Sequence, residues 1–349
     1  MTADDEAPRA PTLEDVARVA GVSRATVSRV VNDTRNVDSR IRDAVRAAVA
    51  QTGYVPNQAA RSLVTRRTGS VALVVSEAEH RLFDDPFLGR VFTDPYFGRV
   101  VSGIISVLRP RAVNLVLMLA ETDDSRRQLI DYLRQGHVDG VLLISTHADD
   151  PLPSMLTESG LPTVLSRRPS APIPISYVDV AQHAGAGLAA DRLAERGCRQ
   201  VATISGPMDM PASQDRLHGF REAMARHGHA FVPSAEGNFT RDSGERAMHG
   251  LLDQYPAIDG LFAANDLMAQ GALLALHDRG IAVPGRVAVV GFDDSSAATA
   301  CRPPLTTVRQ PIEDLAAAMA ELLLAHIDDR QPRVTARIFE PTLVVRESA

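Results

Sequence analysis

Between Thr12 and Asn32 the apolar residues recur at helical spacing in two short bursts. Leu13, Val16, Ala17 and Ala20 share one face, and Val27, Val30 and Val31 share another. Thr12 and Ser23 stand where helix N-caps belong. Asp15, three residues after Thr12, completes a capping-box pattern. Gly21 falls where the first helix must stop, because glycine enters the left-handed region without steric cost. The pattern predicts two helices joined by a tight turn, with Val22 plugging the joint. The outer face of the second helix carries Arg24, Ala25, Ser28, Arg29 and Asn32, which are small, polar or cationic. This is the helix-turn-helix arrangement, whose second helix enters the major groove of DNA. A generic helical hairpin with a solvated basic face is the competing reading. After a loop at Asp33–Asp38, a third helix is predicted at about Ser39–Gln51. Its apolar set is Ile41, Val45, Ala48 and Val49, and Gly53 ends it so that Tyr54 and Val55 can fold back over the core.

Pro56 marks a boundary. Asn57–Val64 reads as a short helical segment with too little apolar surface to be stable alone, and Arg61, Arg66 and Arg67 leave it basic. From Ser70 the texture changes. Short apolar runs at 71–76, 113–120, 139–145, 162–166, 200–205, 259–265 and 287–293 alternate with helical patterns such as Gly98–Leu108, Ser125–Gln135, Ala184–Arg196 and Asp215–His227. Strands alternating with helices imply parallel sheets covered on both faces. A proline-rich break at Pro169–Pro174 suggests two lobes, and a two-lobed α/β core places its ligand in the cleft beyond the carboxyl ends of its strands.

Charge sharpens the division. The 349 residues contain no lysine, and the net charge is −6. Residues 9–70 hold eleven arginines against five acids, whereas the remainder is acidic. A basic head on an acidic body fits a DNA-binding domain joined to something that is not one. The acidic, polar N-terminus offers no signal peptide and no run reaches membrane-spanning length, so a cytoplasmic location is expected. Cys198 and Cys301 match no metal spacing and are expected to be reduced thiols. Gly185–Ala190 fits GxGxxA, which could mark a nucleotide site, but the glycines do not directly follow a strand and read better as an ordinary helix. No nucleophile elbow, zinc motif or phosphate loop is found, so neither an enzyme, a cofactor nor a metal is expected.

Taken together, TLEDVARVAGVSRATVSRVVN, GYVPNQAARSL, VDG, GPMDM, DRLHGF, ANDLMAQGAL, VVGFDD and PPLTTVRQP resemble the lactose-repressor (LacI/GalR) family of bacterial transcription regulators, in order and over about Pro11 to Glu347. The resemblance implies a small all-α helix-turn-helix headpiece at 11–56, a hinge helix and linker at 57–69, and an α/β two-lobed core resembling periplasmic binding proteins at 70–349. That core is expected to hold two parallel doubly wound sheets, with lobes at about 70–176 plus 309–335 and 177–308 plus 336–346. It also implies at least a dimer on a near-palindromic operator. No heptad tail follows Val345, so a homodimer is expected rather than a tetramer.

The resemblance places residues in roles. Arg24, Ala25 and Arg29 would read bases, since arginine can bond guanine bidentately and a methyl can touch thymine. Phosphate contact is the competing role for each arginine. Thr12, Ser23, Thr26, Ser28 and Asn32 would cap helices or touch phosphates. Leu63, with Arg61 beside it, would wedge into the minor groove, the alternative being a linker leucine packed on the core. Arg216, Asn265 and Asp293 align with the effector site, and their chemistry suits vicinal sugar hydroxyls. Phe239 falls where an aromatic stacks on a pyranose, or else packs in the core. Asp209 and Gln214 could add hydroxyl contacts, and Tyr96 and Phe97 could floor the cleft. Ser166 replaces an acid found in some relatives, which leaves the identity of the sugar open. The expected function is a repressor of carbohydrate-use genes controlled by a small sugar. A purine or other non-sugar effector, acting even as corepressor, is the alternative. Residues 77–98 contain a near-repeat, DDPFLGRV and TDPYFGRV, with no role evident from sequence.

Overall fold

The computed structural model describes residues 9–32, 37–55, 67–77, 87–144, 147–329 and 333–349. The chain divides into two compact units, Met1–Gly69 and Ser70–Ala349. Arg61 and Leu63, and most of the expected hinge segment, lie outside the described residues.

In the smaller unit α1 (Leu13–Ala20), α2 (Arg24–Val31) and α3 (Ser39–Thr52) close around Val16, Val27 and Val45. The capping box forms as the spacing predicts: the Thr12 amide donates to Asp15 Oδ2 at 3.0 Å, and the Asp15 amide donates back to Thr12 Oγ1. Gly21 takes φ +66° and turns the chain into α2. Two apolar expectations fail here. Ile41 is exposed, because it sits in the first turn of α3, ahead of the part that the other helices cover. Val55 is exposed as well, and Tyr54 alone packs back on the core.

The larger unit is built on two six-stranded sheets. The first has the order β11-β5-β4-β3-β1-β2 and is parallel throughout. Its strands are β1 (Ser70–Ser76), β2 (Asn114–Ala120), β3 (Val141–Ile144), β4 (Thr163–Ser166), β5 (Ser176–Val180) and β11 (Ala336–Phe339). The second has the order β12-β10-β9-β8-β6-β7, from β6 (Val201–Ser205), β7 (Ser234–Glu236), β8 (Gly260–Ala263), β9 (Ala288–Asp293), β10 (Thr306–Arg309) and β12 (Thr342–Val344). Its edge strand β12 pairs antiparallel with β10, against the expectation of a wholly parallel sheet.

Helices cover both faces of each sheet. On the first sheet, α5 (Pro95–Leu108) and α13 (Ile312–Asp328) bury Val100, Ile104, Leu315 and Met319 on one side. Leu129, Leu133 and Leu156 of α6 (Asp123–Arg134) and α7 (Leu152–Ser159) cover the other. On the second sheet, α8 (Gln182–Glu195) and α9 (Pro211–Arg226) lie against one face, and α10 (Arg241–Gln254) and α11 (Asp266–Asp278) against the opposite one. Two shorter helices complete the unit: α4 (Phe87–Thr93) precedes α5, and α12 (Ser296–Ala300) follows β9. The second copy of the near-repeat is the start of α5, capped by Asp94 with Pro95 in the first turn. The GxGxxA stretch is mid-helix in α8. A Cβ at Gly185 would meet Phe292 and Pro341 at about 3 Å, so its glycine serves close packing and not a nucleotide.

The lobe limits differ from the expected ones. Because β5 pairs with β4 and β11 pairs with β5, the first crossing follows Val180, and residues 336–339 belong to the first sheet. Pro169–Pro174 is a loop between two neighbouring strands of that sheet, not the lobe boundary. The chain crosses between lobes three times: from β5 to α8, from β10 to α13 and from β11 to β12. Among the described residues no helix is long and apolar enough to cross a membrane. Cys198 and Cys301 are buried free thiols, and burial pushes both up to about 11.

Candidate functional site

Two surfaces carry the chemistry, one on each unit. On α2, Arg24, Ala25 and Arg29 are exposed on the face that Val27 leaves to solvent. Arg24 Nη1 lies 3.1 Å from Glu14 Oε1, with both side chains mostly exposed. Such a pair contributes about 0–1 kcal/mol, so a phosphate or a guanine can take its place. Ser23 Oγ accepts from the Thr26 amide at 3.2 Å and shares a hydrogen bond with Thr26 Oγ1. Asn32 Nδ2 donates to Ser28 Oγ at 3.3 Å. Thr12 and Ser23 are therefore caps that fix the angle between the helices. The Thr12 hydrogen bonds hold the Asp15 carboxyl down to about 2, so the box stays ionised at neutral pH.

On the larger unit a cavity of about 440 Å³ lies between the lobes, within the roughly 300–1,000 Å³ usual for small-molecule sites. Six expected residues line it: Tyr96 and Phe97 from the first lobe, and Arg216, Phe239, Asn265 and Asp293 from the second. Each is set by its element. Tyr96 and Phe97 open α5. Asn265 is the N-cap of α11, where its Oδ1 accepts from the Met268 amide and its Nδ2 donates to the Phe239 carbonyl, both at 2.9 Å. An amide has two donors and two lone pairs, so one of each remains for a ligand. Phe239, at φ +66°, is half-buried, and its ring lies so close to Gly206 that a Cβ there would come within 2.2 Å of Cζ. Asp293 ends β9 at φ +114°. It does not cap α12, a task performed by Ser295.

Arg216 is buried on α9. Its Nε donates to Gln182 Oε1 at 2.8 Å, its Nη1 donates to the Ala264 carbonyl, and its guanidinium stacks 3.9 Å from the centre of the Phe292 ring. Burial lowers it to about 10, with Asp293 opposing and Arg167 adding to the fall, so it stays cationic at neutral pH. Burial raises Asp293, against the pull of the Arg216 charge. Burial and the Asp293 charge together push Asp94 up to about 7 and Asp266 up to about 8. Guanidinium, amide, carboxyl and aromatic faces converging on one cavity can satisfy the paired donors and acceptors of a polyol.

The crossings between lobes carry the polar framework of this cavity. Gln182, at the first crossing, donates from Nε2 to Gln310 Oε1 at 3.3 Å; Gln310, at the second, donates from Nε2 to Asp293 Oδ1 at 2.5 Å. Arg99 of α5 grips Glu313 with two bonds of 2.7 Å and donates to the carbonyls of Asp293 and Gln310. The groups that face the cavity are thus bonded directly to the segments that cross between the lobes.

Two expected residues lie elsewhere. Asp209 does not line the cavity; its Oδ2 sits 2.9 Å from His147 Nδ1, and His147, whose Nε2 is 2.8 Å from Glu77 Oε1, does line it. The Ala148 amide also donates to the Asp209 carbonyl, so this loop spans the lobes instead of facing inward. Gln214 turns its Nε2 to the Met208 carbonyl and faces a separate groove, since its helical position points away from Arg216. Sequence reasoning missed Asp94, Arg167, Gln310, Glu77 and His147 in the cavity wall. Asp94 carried a readable signal, an Asp-Pro helix start. The others are brought in by long-range packing.

Residues 12–57 match the description "Bacterial regulatory proteins, lacI family", and residues 190–349 match "Periplasmic binding protein-like domain". The chain is 46% identical to the HTH-type transcriptional regulator CelR of Thermobifida fusca over 345 residues, covering 97% of this chain and 98% of that one. The solved transcriptional regulator CelR-cellobiose complex superposes with a TM-score of 0.76 at 43% identity, covering 97% of this chain and all of that one. The lac repressor dimer bound to operator and the anti-inducer ONPF gives a TM-score of 0.83 at 25% identity over 97% and 99%. With a matching headpiece, a matching core and relatives aligned nearly end to end, this chain belongs to the lacI family of bacterial regulatory proteins and is a DNA-binding transcriptional regulator, not an enzyme.

Proposed function

We propose that the protein is a homodimeric cytoplasmic repressor of carbohydrate-use genes and that its effector is a neutral glucose disaccharide of the cellobiose type. The observation that carries this reading is the interlobe cavity. Its Arg216, Asn265, Asp293 and aromatic wall suit a sugar, on a chain 43% identical to a regulator solved with cellobiose. Two headpieces contact two half-sites of a near-palindrome. Arg24 and Arg29 read guanines, Ala25 contacts a thymine methyl, and the capped helix starts at Thr12 and Ser23 approach phosphates with Thr26, Ser28 and Asn32. Leu63, beside Arg61, enters the minor groove at the operator centre. Sugar in the cavity favours the closed arrangement of the lobes, and closure weakens operator binding. It can do so only by the difference in its affinity for the two arrangements.

The test is a selection of bound duplexes from genomic fragments, followed by anisotropy titration of the selected operator against cellobiose. The expected result is release by cellobiose at micromolar to millimolar concentration. Affinity for the operator should fall linearly with salt on logarithmic axes, by about 0.9 per phosphate contacted. Tighter operator binding with cellobiose would make it a corepressor. A response to purines instead would overturn the sugar assignment.

A further inference from the structure

Arg167 combines three features at the cavity wall. It lines the interlobe cavity directly after β4. Its Nη1 is buried and, among the described residues, has no hydrogen-bond partner. Its backbone sits at φ +100°, in the left-handed region that disfavours a side chain, and its amide N–H donates to the Val178 carbonyl on the neighbouring strand at 2.7 Å. A buried charged donor without a partner is costly, and so is a non-glycine residue in that region. Both costs fall on one side chain of a ligand cavity. The other two cavity guanidiniums are engaged: Arg216 bonds Gln182 and Ala264 and stacks on Phe292, and Arg241 pairs with Asp242.

We propose that Arg167 is a specificity-determining effector contact whose Nη1 donates to an uncharged acceptor oxygen of the bound sugar. This rests on the reading of the cavity as a neutral-sugar site and adds the residue that meets the sugar. The neutral class fits the wall: Glu77, Asp94, Asp242 and Asp293 stand against Arg167, Arg216 and Arg241. An anionic ligand would meet four acids against three arginines, whereas a hydroxyl or ether oxygen satisfies Nη1 without confronting the acids. The positive φ fixes the direction in which the side chain leaves the backbone at the cavity wall.

The experiment is calorimetric titration of the full-length protein with cellobiose, for the natural sequence and for Arg167→Met and Arg167→Gly, with ligand-free melting curves of all three. Arg167→Met keeps the aliphatic stem and removes the donor; Arg167→Gly also releases the backbone. Both variants should bind cellobiose roughly ten- to a hundredfold more weakly, as expected for one lost charged hydrogen bond. Neither should melt below the natural protein without ligand, because each removes an unpartnered buried donor. Undiminished cellobiose affinity in Arg167→Met would overturn the contact while leaving the sugar reading intact. A lower ligand-free melting temperature with unchanged affinity would show a structural role instead. Tighter binding of glucose 6-phosphate than of cellobiose would overturn the neutral class. Failure of the natural protein to bind cellobiose, glucose or another neutral disaccharide would overturn the sugar reading and this contact with it.

Discussion

Replacing Gln182 with leucine removes the acceptor that holds Arg216 in the cavity and the donor that reaches Gln310 across the crossings. The bond from Arg216 Nε to Gln182 Oε1 is 2.8 Å and fully buried; the bond to Gln310, at 3.3 Å, is long and contributes little. Losing a charged buried bond and stranding its donor costs about 2–3 kcal/mol. Leucine is of similar volume and recovers about 1 kcal/mol by apolar burial. The net loss is then about 1–2 kcal/mol, which lowers the melting temperature of a core this size by roughly 2–6 °C. The loss should extend to ligand binding, because an Arg216 released from Gln182 must be ordered again by the sugar. Gln182→Leu should therefore weaken cellobiose binding about tenfold without touching the sugar itself. Thermal melts followed by near-ultraviolet dichroism, with and without cellobiose, read both effects. A melting temperature within 1 °C of the natural protein and an unchanged cellobiose-induced shift, against the roughly 2–6 °C expected, would refute the claim that the crossing holds the effector arginine.

Three further outcomes are expected. Asp94, raised to about 7, keeps its proton in the folded protein over a range where the unfolded chain releases it, so its contribution to stability falls as pH rises from about 4 to 7 and is level above that. Asp94→Asn retains the helix cap and removes the titration, so its melting temperature should gain on the natural protein as pH rises from about 4 to 7; a constant difference would refute this. Gly206→Ala places a Cβ 2.2 Å from the Phe239 ring and must push that ring toward the cavity, costing about 1–3 kcal/mol of stability and weakening cellobiose binding, as melting and titration together would read. Arg24→Ala should relax discrimination at one operator base pair by about 1–3 kcal/mol, whereas equal weakening across all operator variants, measured by anisotropy, would assign it to phosphate.

The headpiece was the most legible part of the chain because its signals are local. Thr12, Asp15, Gly21 and Ser23 fix two helices and their turn within a dozen residues, and the caps form where the pattern puts them. Ile41 shows the limit of periodicity, which marks a stripe but not where a neighbouring helix ends. The seven apolar runs all became strands. Strands β7, β10, β11 and β12 were invisible because each is only three or four residues long and carries no apolar run of the length that marks a strand. Arg216, Asn265 and Asp293 were legible through motif resemblance. Gln182 and Gln310 were not, since a single glutamine acquires its role only when residues 128 positions apart meet. Asp209 was misplaced for a related reason: its loop position was readable, but its partner His147, 62 residues away, was not.

The three crossings also govern the order in which this protein can be completed as it is made. Among the described residues the headpiece core closes within Leu13–Tyr54, so it can fold while the rest is still being synthesised. Neither lobe can. The first sheet waits for β11 and the covering helix α13, and the second waits for β12 and for Ser348, whose Oγ accepts from the Thr306 amide and donates to the Val289 carbonyl. Such long-range pairing is slow to form. A chain that stops before residue 336 would thus carry a finished DNA reader on two unfinished sheets, with no complete cavity to answer a ligand.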